Sequence, residues 1–405
     1  MIFLKKIILL SVILSVMLLS ACGSVSDDTS HTSSSSDTNV STTDTTDETS
    51  SDESSDDMSY PDVVASYDLA KTYEPYYQFM LQSQEGQNAV FSSESLNSAF
   101  CMYKALLTDA DAKEVSDFLN DVDYLAYHNT SVFKTVNRLW VNSTHPDFNI
   151  DAIPLPSDIV YPIDMSSPKS TDEKNDFVNQ QTNGFITSTP SVFTSDMLFD
   201  AMNITYFKDT WYDGDKKLSD EPMTFHNIDG TDVDLNMIEE HASDAYVTIS
   251  DNACAYTMPY DSGFTFTAIL PDEGHDLSEI DIDSFVSGRF DTKSYSCVNF
   301  YMPEFETEST YQCKLQAFDL SAETMNPSIF TQATVPAGIL QVAKIRVDHE
   351  GTEAAAVSEI MKTDAAAILD EYTEFDMICD RPFAYYIYDT ENGDVAFMGV
   401  VTMCS

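Results

Sequence analysis

The sequence is poor in positive charge: 19 Lys and Arg stand against 68 Asp and Glu, a formal net charge of -49 over 405 residues. With no basic stripe to neutralise phosphates, nucleic acid and anionic lipid headgroups are excluded as electrostatic partners. The acid excess instead suits solubility and self-repulsion outside a cell. The catalytic vocabulary is equally thin. No Gly-x-Ser-x-Gly elbow, His-Glu-x-x-His, phosphate loop or dinucleotide fingerprint occurs. The 7 His are scattered singly, so an enzyme would need a constellation that the sequence does not display. Asp229-Gly230-Thr231-Asp232-Val233-Asp234 lacks the ligand ladder of a calcium loop and sits where a strand turn is expected. No metal and no cofactor is expected. The 7 cysteines fit neither zinc spacing nor a Cys-x-x-Cys pair.

What is present divides the chain into three parts. Lys5 and Lys6 precede an apolar run, Ile7 to Leu19, that is too short to prefer spanning a bilayer, and Leu19-Ser20-Ala21-Cys22 follows. This start resembles a bacterial lipoprotein signal with its lipobox. The resemblance implies cleavage before Cys22 and lipid attachment to its sulfur, which would hold the mature protein to the extracellular side of a bacterial membrane without spanning it. Residues 1–21 are then the signal and 22–65 a Ser/Thr/Asp-rich stalk, too poor in apolar groups to offset its ordering entropy. Residues 66–405 form one folded domain, expected to be a monomer.

Within that domain, helical spacing covers Tyr67 to Gln84, Ser93 to Leu107, Ala112 to Leu119 and Thr171 to Phe185. Strand patterns occupy Asp200 to Trp211, Ala255 to Tyr260, Phe264 to Leu270, Val298 to Pro303 and Ile339 to Val347. A closing hairpin, Phe383 to Tyr388 and Val395 to Val401, flanks Asn392-Gly393. Helices early, strands late and no βαβ alternation indicate an α+β architecture. Antiparallel pairing about the turn brings Cys379 and Cys404 roughly opposite each other, which permits a disulfide; two free thiols in a core are the alternative.

The stretch Glu350-Gly351-Thr352-Glu353-Ala354-Ala355-Ala356-Val357-Ser358 precedes Asp380-Arg381-Pro382-Phe383 and Phe397-Met398-Gly399. In that order these resemble the hinge, signature and closing strand of the serpins. Further blocks agree: Asn88 to Ser95, Thr182-Asn183-Gly184, Asn203 to Trp211, and Met258 to Gly274. The resemblance implies three β-sheets, eight or nine helices and an exposed reactive loop, with suicide inhibition of serine proteases, and of some cysteine proteases, as the default activity. The alternative within the same fold is a non-inhibitory binding or chaperone module whose loop is only a substrate.

The hinge can be checked on physical grounds. A strand made of residues 352–360 would face Thr352, Ala354, Ala356, Ser358 and Ile360 inward, none of them charged. Glu353 and Glu359 share the other parity and are expected on the solvent face. Small side chains also slide between strands with little resistance.

By resemblance, Ser92, Ser95, Asn203 and Gln341 match the shutter, a buried polar cluster beneath the sheet through which the strand must pass. Trp211 matches the aromatic at the breach, where insertion begins. Glu304 and His349 stand where the family usually pairs a Lys with a Glu, so the polarity is exchanged and a protonated His349 is expected to latch onto Glu304. Counting forward from the hinge places the scissile bond at Ala365-Ala366; counting back from Pro382 gives the neighbourhood of Glu371. The forward count governs how far a bound protease is carried, and a small residue before the cut suits elastase-like or subtilisin-like pockets. Ser93 replaces the family's usual Pro, and Ala384 is smaller than the residue usual after Phe383.

Overall fold

A computed structural model describes residues 72–126, 130–331, 339–352 and 372–405. All of them lie in the second of the chain's two units, Asp62–Ser405. Cys22, the hinge residues Glu353, Ala354, Ala355 and Ala356, and the bond Ala365-Ala366 fall outside the described residues.

Helix Ser93–Lys104 starts because the Ser92 hydroxyl accepts the Ser95 N–H at 3.2 Å. Glu94 in its first turn and Lys104 in its last suit the dipole. It is buried from Ser93 to Tyr103 and runs through the core; Ser93, standing where Pro was expected, donates its hydroxyl to Val395 O at 2.7 Å. Helix Ser170–Gln181 ends where Asn183 and Gly184 turn left-handed, φ 52° and 88°. The Thr182 hydroxyl fixes that end by accepting the Ile186 N–H at 2.9 Å. The helices Glu74–Ser83, Asp109–Phe118 and Ile282–Val286 complete the α set. Among the described residues there are five α-helices and four 3-10 turns, fewer full helices than the resemblance implied. The 3-10 segments Tyr124–Ala126, Ile150–Ala152, Leu277–Glu279 and Leu315–Phe318 span three or four residues each, too few to close an α-helical ladder.

The central sheet has two flanks. On one, Phe133–Asn142 pairs parallel with Val160–Ile163 and antiparallel with Phe199–Phe207. On the other, Phe305–Cys313 pairs antiparallel with Ile339–Asp348. The inner strands Phe199–Phe207 and Ile339–Asp348 run side by side, yet among the described residues no ladder joins them. They are bridged at one end alone, where Gly351–Thr352 pairs with Asp348 and Val347 on one side and with Thr210 and Asp209 on the other.

A second sheet follows the order Ala89–Phe91, Asp394–Val401, Phe383–Asp389, Phe264–Pro271, Ala253–Pro259, Met237–Ile249, Asp291–Pro303, Glu374–Ile378, with Lys217–Leu218 paired to Met237–Ile249 off this path. Every residue of Phe383–Asp389 and Asp394–Val401 is buried, so this hairpin is covered on both faces. Gly399 lies opposite Tyr385, and a Cβ there would come within 2.3 Å of the Tyr385 ring. That contact is why the closing strand carries Gly after Phe397-Met398. The Asp229-Gly230-Thr231 run is the turn between Met223–His226 and Asp232–Leu235, with Asp229 accepting the Thr231 N–H at 2.9 Å.

The Cys379–Cys404 disulfide does not form; both thiols are free. Hairpin pairing begins only at Phe383↔Val401. Before it, the chain leaves the hairpin to follow Asp291–Pro303, with Cys379 N–H donating to Tyr301 O at 2.8 Å. Beyond Val401, the tail turns onto the small hairpin, where the Cys404 N–H donates to Asn227 Oδ1 at 2.7 Å. Burial pushes the Cys404 thiol up to about 12 and Cys379 well above its ordinary value, so both stay protonated.

Candidate functional site

Three groups of side chains border the unladdered gap: one at its bridged end, one beneath its middle and one over the opposite face.

At the bridged end, Trp211 stacks on Tyr260 with centroids 4.5 Å apart and donates Nε1–H to Asp348 O at 2.9 Å. The Tyr260 hydroxyl lies 2.6 Å from Thr352 Oγ1, both buried, so the first strand-forming residues after the hinge glycine are tied to the core by a side chain as well as by backbone pairing. Burial, reinforced by the nearby Asp209 and Asp348 carboxylates, pushes the Tyr260 phenol far up, which keeps it a neutral hydrogen-bonding group. Gly351 has φ +141°, and a Cβ there would meet Asp209 O at 2.3 Å and Thr210 Cα at 2.9 Å. Only glycine fits between the two strands.

Glu304 and His349 meet as the sequence suggested. Glu304 Oε1 accepts the His349 N–H at 3.0 Å and lies 2.6 Å from His349 Nδ1. The hydrogen bond, ahead of the carboxylate's charge, holds the His349 pKa above its ordinary 6.5. His349 O in turn accepts the Lys216 N–H at 2.7 Å, linking the latch to the segment after Trp211.

Beneath the middle, the four residues matched to the shutter, Ser92, Ser95, Asn203 and Gln341, are all buried but form two groups. Gln341 donates Nε2–H to Ser92 O at 2.7 Å, and Ser92 caps Ser95. Asn203 turns the other way, donating to Thr135 Oγ1 at 2.9 Å and Asn137 Oδ1 at 2.8 Å while accepting the Thr205 hydroxyl at 2.9 Å. Asn203 and Gln341 thus anchor opposite flanks of the gap.

Over the opposite face lies a group that sequence reasoning missed. Helix Ser170–Gln181 covers the inner strands and buries Lys174 completely. Lys174 Nζ donates to Ser191 O at 2.6 Å and to the Ser191 hydroxyl, and stands 3.5 Å from Asp200 Oδ2. Burial pulls Lys174 down and pushes Asp200 up. In the sequence, a lone Lys between Glu173 and Asn175 is indistinguishable from a solvated helix residue; only packing reveals it. Tyr260 was missed for a related reason, since an isolated Tyr gives no sign of a distant hydroxyl partner.

Residues 74–404 match the profile of the family Serpin, serine protease inhibitor. The chain belongs to the serpin family. The alpha-1-antitrypsin homolog of Cyprinus carpio is 26% identical over 258 residues, covering 60% of this chain and 66% of that protein. An uncharacterized serpin-like protein of Thermococcus kodakarensis is 27% identical over 245 residues, 56% of this chain and 55% of that protein. This chain spans about half to two thirds of the length of the curated relatives it first matches. Among solved structures, the thermophilic serpin tengpin in its native state superposes with TM-score 0.67 at 19% identity, covering 82% of this chain and 94% of that one. Arabidopsis AtSerpin1 in its native stressed conformation gives TM-score 0.66 at 21% identity, covering 81% and 95%. The three-sheet α+β serpin fold is therefore established.

Proposed function

We propose that this serpin is a suicide inhibitor of extracellular serine proteases with elastase-like or subtilisin-like pockets, held at a bacterial cell surface by lipid on Cys22. The observation that carries the reading is the unladdered gap in the central sheet, with Gly351–Thr352 already paired into its end. A strand that continues from Thr352 would satisfy both inner edges, gaining main-chain hydrogen bonds and apolar burial. Before cleavage the segment 353–371 is tethered at both ends, at Thr352 and at Tyr372, and full insertion is prevented. The native state is then held kinetically.

The chemistry belongs to the protease. Its serine Oγ attacks the carbonyl carbon of Ala365, the Ala365–Ala366 amide breaks, and the Ala366 amine leaves as the new N-terminus. Released at that end, the acylated segment enters the sheet and carries the protease toward the opposite pole before water completes deacylation. Trypsin-like enzymes have Lys362 to attack, three residues early, and are expected to cleave without being held.

The test is incubation with an elastase-like, a subtilisin-like and a trypsin-like protease, followed by denaturing gels and N-terminal sequencing of the released fragment. An SDS-resistant complex whose fragment begins at Ala366 or Ala367 supports the proposal. Stable complex with a fragment beginning at Thr363 overturns the assigned bond. Cleavage by all three without any complex identifies the non-inhibitory module instead. For the anchor, incorporation of a labelled fatty acid that is lost in Cys22→Ser is expected.

A further inference from the structure

The sheet register of Gly351–Thr352 fixes where every following residue would lie if the strand continued. Gly351 is paired with Thr210 and Asp348, and Thr352 with Asp209 and Val347. Continued antiparallel to both flanks, this register sets Glu353 between Lys208 and Arg346, Val357 between Ile204 and Val342, Ser358 between Asn203 and Gln341, and Glu359 between Met202 and Leu340. The pattern fits position by position: an acid between two cations at the rim, an apolar residue between apolar neighbours, and a hydroxyl between the shutter amides.

Glu359 is the exception. Its flanks, Met202 and Leu340, are not at the solvent face expected from the sequence, because helix Ser170–Gln181 covers the sheet there. Between helix and strands lies a crevice of about 20 Å³, room for about one water, lined among others by Met202, Leu340, Asp200, Ser191 and Thr189. Thr189 Oγ1 is buried there with no hydrogen-bond partner. Lys174 stands at the same place through its contacts with Ser191 and Asp200. Its Nζ already donates to Ser191 O at 2.6 Å and to the Ser191 hydroxyl, but the charged partner, Asp200, stands 3.5 Å away, longer than a good charge-assisted hydrogen bond.

We infer that this crevice is the receiving site for the Glu359 carboxylate of the protein's own loop, and that Lys174 is its counter-ion. The inference rests on the loop insertion proposed above. A lysine fully buried under a helix is costly with one distant carboxylate. A second carboxylate delivered between Met202 and Leu340 brings a nearer countercharge to the ammonium and accepts from the Thr189 hydroxyl, which otherwise has no partner. The helix is thereby fastened to the inserted strand, and the site is specific for an acid at this one position of the loop.

The experiment compares intact and loop-cleaved protein, each melted at one fixed scan rate, for wild type, Glu359→Gln, Lys174→Met, the double variant, and Glu353→Gln as the rim control. Cleaved wild type is expected to melt well above intact wild type. Glu359→Gln, an isosteric change, should lower the melting temperature of the cleaved form by on the order of 3 °C while leaving the intact form unchanged. In the Lys174→Met background the same change should have no further effect, and Glu353→Gln should cost the cleaved form less. Equal gains on cleavage for wild type and Glu359→Gln overturn the assignment while leaving insertion standing. No gain for cleaved wild type refutes insertion itself and the assignment with it. Should Lys174→Met fail to fold, the Glu359→Gln comparison decides alone.

Discussion

Replacing Gly351 with Ala tests whether the bridged end of the gap is a built clamp. The new Cβ would stand 2.3 Å from Asp209 O and 2.9 Å from Thr210 Cα, both backbone atoms of the neighbouring strand. Neither can move without dissolving the pairs Gly351↔Thr210 and Thr352↔Asp209. The variant therefore has two courses. It can keep the pairing with a side chain at φ +141°, at a conformational cost of about 1–3 kcal/mol before the clash is relieved. Otherwise it can expel Gly351–Thr352, losing backbone bonds worth on the order of 1 kcal/mol each and stranding the buried Tyr260 hydroxyl. Either course costs roughly 3–5 kcal/mol, which at about 2 °C per kcal/mol for a large domain is a drop of roughly 6–10 °C. The assay is thermal melting at fixed scan rate, followed by titration against a trapped protease. Loss of the clamp should also divert turnover toward simple cleavage, because insertion no longer starts from a formed strand end. A variant that melts with wild type and traps protease in the same ratio refutes the clamp.

Three further outcomes are expected. His349→Ala removes the Glu304 contact between two half-exposed groups, so its cost is small, about 0.5 kcal/mol. Because the His349 pKa is raised in the folded state, that cost is complete below the ordinary value of 6.5 and vanishes as pH climbs through the raised one. Melting curves of the pair at acidic and alkaline pH check this, and an equal difference at both ends contradicts it. Gln341→Ala removes the 2.7 Å donor to the Ser92 carbonyl, which keeps only the Leu96 N–H, and the acceptor of the buried Ser92 N–H, and should lower stability by about 1–3 kcal/mol in urea titration, whereas a wild-type midpoint contradicts this contact. Unfolding without reductant in the presence of an alkylating agent should label both Cys379 and Cys404, and recovery of a linked peptide by mass spectrometry contradicts the free thiols.

Local chemistry makes part of the fold readable in the sequence. Ser92 with helix Ser93–Lys104, and Asn392-Gly393 between two apolar runs, declare themselves through caps and turns acting over a few residues. Gly351 and Gly399 stand out as glycines within motifs, and the structure supplies the reason, a Cβ that would strike Asp209 or Tyr385. The Cys379–Cys404 expectation failed because hairpin geometry was extended past Phe383, where pairing with Asp291–Pro303 takes over.

The sequence by itself determined the helix that begins at Ser93, the strands at Phe264 to Leu270 and Ile339 to Val347, and the closing hairpin about Asn392-Gly393. All of these depend on residue type and short spacing. Only the tertiary structure decided that Asn203 and Gln341 hold opposite flanks, that Tyr260 ties down Thr352, and that Lys174 lies buried over Asp200. Those partners are separated along the chain by tens of residues or more. A charge or hydroxyl reads as solvated until a helix and a sheet close around it and remove the water.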